Sequence, residues 1–118
     1  MTDLYTLDGL IVDLSAINVL LHNQSVQVTL LEYRLLAYLA RHAGRSVPMA
    51  ELLREVWGCC PKDGGTEAQV ENCVCRLRRK IEPDPDHPRY LLNVRGAGYL
   101  LTAPEDEQSP QNSQSYQD

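Results

Sequence analysis

The stretch Val70–Ile81, VENCVCRLRRKI, sets two cysteines directly ahead of four cations in five residues. Thiols and arginines spaced this way could hold a metal, sense an oxidant or meet phosphates and base edges. Turned as a helix at about 100° per residue, Val74, Leu77 and Ile81 fall within about 40° of Val70 and form with it an inward stripe. Ala68, Asn72, Cys75, Arg76 and Arg79 lie opposite, with Gln69 at the edge, while Cys73 leans toward the core. The two thiols therefore face different ways.

That division weakens the metal reading, because ligands at i and i+2 of one helix cannot both reach a tetrahedral zinc without unwinding it. Cys59-Cys60, twelve residues, then Cys73 and Cys75 also fits no usual zinc pattern. No metal is assigned. Cys73 reads as a small buried hydrophobe. Cys75, facing outward beside Arg76, Arg78 and Arg79 and open to oxidation, is the candidate redox residue. The plain reading of RLRRK is a solvated helix end whose cations complement the macrodipole. An arginine-bearing helix, a preceding helix joined by a loop, and a hairpin tipped by Arg95 together outweigh it. A helix fits the major groove, where Arg pairs with guanine, and a thin hairpin can send an arginine into the minor groove.

The elements that must position these residues are legible in order. LYTL, LIVDL, NVLLH and VQV (Val26–Val28) read as short strands parted by Asp8-Gly9, Ser15-Ala16 and Asn23-Gln24-Ser25. Thr29 and Glu32 have capping-box spacing and open a first helix, with Val28 and Tyr33 placed as a hydrophobic staple and Gly44 closing it. Met49, Leu52, Leu53, Val56 and Trp57 recur at helical spacing and make a second helix, ended by Gly58. GCCPKDGG is a loop, Thr66 with Gln69 caps the third helix, and EPDPDHP stops it. YLLNV and YLLT flank Arg95-Gly96-Ala97-Gly98 as a hairpin. The fold class expected is α+β, in one domain over residues 1–103. Residues 104–118, polar and acidic, read as a disordered tail.

The net charge of −5 argues at first against a phosphate partner, but it hides a pattern. All eleven Lys and Arg lie between Arg34 and Arg95 with eight acids, a net of +3, and each end carries −4. No apolar run approaches a membrane span and the N-terminus lacks a secretory signal, so a cytoplasmic protein with no membrane partner and reduced thiols is expected. His22, His42 and His87 fall in separate elements, and no nucleophile-base pair or phosphate loop appears. Neither an enzyme nor a cofactor is expected.

Four segments, VTLLEYRLLAYLARHAGRSV, LLREVWG, VENCVCRLRRKIEPD and YLLNVRGAGYLL, come in an order and spacing that resembles the OmpR/PhoB-type DNA-binding domain of bacterial response regulators, over about Tyr5 to Thr102. The resemblance implies a winged helix-turn-helix: an N-terminal four-stranded antiparallel sheet, three helices and a C-terminal β-hairpin wing. It makes the third helix the recognition helix, with Arg76 matching a base or phosphate contact, Arg78 a backbone contact, Arg95 the minor-groove arginine and Asn93 a phosphate-contacting position. Trp57 matches a tryptophan near the DNA backbone, and the loop 58–66 matches the segment that touches RNA polymerase in activators. The chain departs from the pattern at Ala68 and Cys75, where relatives place cationic or polar contacts, at Pro48 and in a longer loop after Trp57. With the winged helix filling about 100 residues, phosphorelay control would come from another chain or a preceding segment.

The function expected is a double-stranded DNA-binding transcriptional regulator. Arg76 and Arg79 would face the major groove with Asn72 and Gln69, Arg78 and Lys80 would hold phosphates, and Arg95 would probe the minor groove, with tandem self-association on DNA implied by the family. The alternatives are a protein-interaction module docking on polymerase or a partner regulator through the loop and the Trp57 region, and a regulator switched by oxidation of Cys75.

Overall fold

The computed structural model describes residues 4–58 and 66–103. Four short strands, β1 (Leu4–Leu7), β2 (Leu10–Asp13), β3 (Asn18–Leu21) and β4 (Gln24–Ser25), pair antiparallel in sequence order. Asp8-Gly9 (φ 49° and 91°) and His22-Asn23 (φ 51° and 69°) are two-residue turns with both φ values positive, the geometry that follows the right-handed twist of paired strands. The second turn corrects one expectation. The fourth strand is not Val26–Val28 but Gln24–Ser25, because His22-Asn23 reverse the chain at once and set Gln24 opposite Leu21. Beyond it only the Val26 N–H continues the ladder, to the Val19 carbonyl at 2.9 Å.

Helix α1 (Leu30–Arg41) begins on the expected capping box: Thr29 Oγ1 accepts from Glu32 N at 3.1 Å, and Glu32 Oε1 accepts from Thr29 N at 3.0 Å. The helix ends at Arg41, and Gly44, at a φ of 87°, sends its N–H to the Leu101 carbonyl at 2.8 Å. Helix α2 (Met49–Glu55) is two residues shorter than Met49–Trp57. The Trp57 N–H reaches back to the Leu52 carbonyl at 3.3 Å and Gly58 takes a φ of 90°, which closes the last turn early. Helix α3 (Glu67–Ile81) and the hairpin β5 (Leu91–Val94) and β6 (Gly98–Leu101) follow.

The core joins sheet, helices and hairpin. Leu10 and Val12 of β2, Leu35, Leu36 and Leu39 of α1, Leu52 of α2, Leu77 and Ile81 of α3, and Leu91 and Leu101 of the hairpin are fully buried. Each such side chain contributes roughly 1.5–3 kcal/mol of transfer free energy, so the inward stripe of α3 is what seats that helix. Val47, just before α2, exchanges hydrogen bonds with Tyr99 at 2.7 and 3.0 Å and fastens the hairpin to the helical layer. Among the described residues no helix is long and apolar enough to cross a membrane. The loop read at 59–65 and the tail read at 104–118 lie outside the described residues.

Candidate nucleic-acid interface

Helix α3 starts on a second capping box: Thr66 Oγ1 accepts from Gln69 N at 3.2 Å and Gln69 Oε1 accepts from Thr66 N at 3.1 Å. Gln69, read from sequence as a base contact, thus commits its amide oxygen to the cap and keeps only its amide nitrogen. Val70, Cys73, Val74, Leu77 and Ile81 are buried, as the helical periodicity requires. Ala68, Asn72, Cys75 and Arg79 are exposed on the opposite face. Asn72 and Arg79 make no side-chain hydrogen bond among the described residues.

The cations of RLRRK, contiguous in sequence, separate in space. Arg76 and Lys80, one turn apart, lean toward α1, where Arg76 Nε donates to Glu32 Oε2 at 3.0 Å and Lys80 Nζ to Glu32 Oε1 at 2.5 Å. Glu32 is 1% exposed, while the Arg76 and Lys80 side chains are 51% and 32% exposed. Burial pushes the Glu32 carboxyl up, but hydrogen bonds from Lys80, the Thr29 backbone and Arg76 outweigh it and hold it below its ordinary value. Arg78 leans the other way and donates from Nε to the Leu91 carbonyl at 3.0 Å, tying α3 to β5. Arg79 alone of the four has its whole guanidinium uncommitted among the described residues.

Beside this face stands the hairpin. Arg95 is exposed at the head of its turn, which is closed by the Ala97 N–H on the Val94 carbonyl at 2.8 Å, and Asn93 is exposed on β5. An open groove of about 290 Å³ separates the hairpin from α2 and α3, with Pro48, Met49, Glu71 and Asn93 on its walls. Trp57 sits half-buried against the core at the end of α2. Cys75 is exposed and Cys73 buried, and burial, with Glu32 nearby, pushes the Cys73 thiol up to about 11. No cluster able to hold a metal occurs among the described residues.

Glu32 entered the sequence reading only as half of a cap. Its second role left only a local hint: Lys80 follows Arg76 by one turn and lies about 40° nearer the core stripe on the helical wheel, which does not say where their counter-charge lies. Nothing singled out Glu82, which closes α3 and binds the approach to β5 through backbone amides nine residues along the chain at most.

Residues 23–101 match the family model described as transcriptional regulatory protein, C terminal. Among curated proteins, the transcriptional regulatory protein KdpE of Mycobacterium tuberculosis is 38% identical over 96 residues, covering 81% of this chain and 42% of that protein. The response regulator DrrB of Thermotoga maritima, an OmpR/PhoB homolog, superposes with a TM-score of 0.76 at 31% identity, over 85% of this chain and 44% of its own. The DNA-binding domain of RstA from Klebsiella pneumoniae, solved in complex with the RstA box, superposes with a TM-score of 0.73 at 25% identity, over 85% of this chain and 97% of its own. The chain thus spans less than half the length of KdpE and of DrrB.

Proposed function

We propose, from the premise that this chain belongs to the family of transcriptional regulatory protein C-terminal domains of OmpR/PhoB type, that it is a cytoplasmic, sequence-specific binder of duplex DNA. The observation that carries the reading is the outward face of α3, where Asn72, Cys75 and Arg79 stand exposed, and uncommitted among the described residues, beside a hairpin tipped by exposed Arg95. A helix about 10–12 Å across enters a major groove about 12 Å wide. Arg79 and the terminal nitrogens of Arg76 suit guanine, and Asn72 suits adenine, with the Gln69 amide nitrogen at the edge of the same face. Arg95 suits a narrow minor groove, Asn93 and the Trp57 N–H suit phosphates, and Arg78 offers a phosphate its terminal nitrogens. The protein acts by binding rather than by catalysis. RNA polymerase contact through residues 58–66 and tandem self-association on DNA belong to the same proposal on the strength of the family alone.

Fluorescence anisotropy on a duplex selected from a random pool tests it. Each neutralised phosphate should add about −0.9 to the slope of log K against log salt. Arg79→Ala should cost about 1–3 kcal/mol on that duplex and relax the preference at one base pair. Binding that is flat with salt and unchanged by Arg79→Ala and Arg95→Ala would instead favour a protein-docking module.

A further inference from the structure

The buried carboxylate of Glu32 does more than a helix cap requires. Helix α3 is capped by the same two-way box with a neutral Gln69, at 3.1 and 3.2 Å, so the box itself needs no charge. A charge taken out of water is costly unless it is paired, and among the described residues Glu32, at 1% exposure, is paired through two cations of α3. What its charge adds is a grip on the recognition helix.

We infer that Glu32 is a positioning residue for DNA readout, holding Arg76 and Lys80 so that one presents its terminal nitrogens end-on to the bases and the other is withheld from phosphates. The inference rests on the duplex-binding reading above. A guanidinium donates in a fixed planar fork, so fixing Nε on Glu32 Oε2 fixes the plane, and only the two terminal nitrogens remain for a base. Arg76 then loses little further freedom on meeting guanine, which favours the right base over mere phosphate attraction. Lys80, a flexible point charge by nature, is pinned to Oε1 at 2.5 Å and offers little to the sequence-independent part of binding. In a protein of net charge −5, one buried carboxylate thereby turns two cations from general phosphate attraction toward selective contact.

Glu32→Gln in the full chain is the test, since glutamine keeps the capping box while removing the charge that holds Lys80 and setting an amide donor where Arg76 needs an acceptor. Anisotropy is read on the selected duplex and on a scrambled one across a salt series, at temperatures where circular dichroism shows both proteins folded. The wild type should prefer the selected duplex. In Glu32→Gln the scrambled duplex should bind several-fold tighter, with a salt slope steeper by about one to two, and the preference should fall about tenfold. Lys80→Gln alone should leave the wild-type slope unchanged, because Lys80 is already withheld; this arm stands if Glu32→Gln fails to fold. A Glu32→Gln protein that loses stability while keeping both preference and slope overturns the inference, as does a slope that drops by about one in Lys80→Gln. A wild type that binds neither duplex removes the DNA reading itself, which separates the two failures.

Discussion

Glu82 holds Tyr90 through both carboxylate oxygens, the Tyr90 N–H donating to Oε1 at 3.2 Å and to Oε2 at 3.0 Å. The amides on either side join the same group, Arg89 N at 2.7 Å and Leu91 N at 2.8 Å, so one side chain at the end of α3 gathers three successive N–H groups at the entry to β5. Arg78 reinforces the link one turn earlier through the Leu91 carbonyl. The hairpin is therefore aimed by the helix that precedes it, and Arg95 inherits its place from Glu82.

Glu82 is 6% exposed, and its removal would strand buried backbone donors. Glu82→Ala should cost about 3 kcal/mol, since bonds to a charged acceptor are worth about 1.5–3 kcal/mol and orphaned buried donors add to the loss. Urea denaturation should show that loss, and Glu82→Gln, which keeps one acceptor oxygen, should recover part of it. A fully stable Glu82→Ala protein would mean that the turn before β5 holds itself.

The hairpin has a second constraint at Gly98. Its φ is 119°, and a Cβ there would stand 1.9 Å from the Val47 carbonyl oxygen, inside the Val47–Tyr99 bridge. Gly98→Ala should cost at least about 2 kcal/mol and speed amide exchange at Tyr99, because backbone must yield on both sides. Gly96, at a φ of 79° with open space around its Cβ position, makes the control. Gly96→Ala should cost only about 1 kcal/mol, measured in the same denaturation series.

The elements were readable because their signals are local. Both capping boxes, the Asp8-Gly9 turn and the 3.6-residue stripe of α3 sit within a few residues of the structure they specify, and each stands where the pattern puts it. The fourth strand was displaced because a two-residue turn at His22-Asn23, neither of them glycine, competes with the apolar pull of Val26 and Val28. The partition of the cations was not readable. Glu32 to Lys80 and Arg89 to Asp8 span 48 and 81 residues, and no local periodicity reports who meets whom at that range. Sequence thus separated the outward face of α3 from its inward one, while the structure separated the cations still available to a partner from those already held.

Acid should loosen the Glu32 grip. Its folded pKa is lowered from 4.5, so the carboxylate contributes stability above that value and the contribution is lost as pH falls through the lower folded one. Unfolding free energy should therefore drop with pH below about 4.5, and Glu32→Gln should flatten that part of the curve. Chemical denaturation between pH 3 and pH 7, values chosen to bracket about 4.5, reads the difference directly. Parallel curves for the two proteins would show that other carboxylates carry the acid response.

The two cysteines of α3 should react as their positions dictate. With Cys59 and Cys60 replaced by serine, the folded protein should take up one thiol reagent quickly, at exposed Cys75. Cys73, buried and with its thiol pushed up to about 11, should react only on unfolding. Iodoacetate places a bulky negative charge on Cys75, on the face shared with Asn72 and Arg79, so alkylation should weaken binding to the selected duplex. Because the added group opposes phosphate as well as base contact, the loss should exceed about tenfold at low salt and shrink as salt rises. Cys75→Ser, isosteric and uncharged, should bind as the wild type does and be indifferent to the reagent. If alkylation leaves binding intact, the exposed face of α3 does not enter the groove, and the interface must be sought at the hairpin instead.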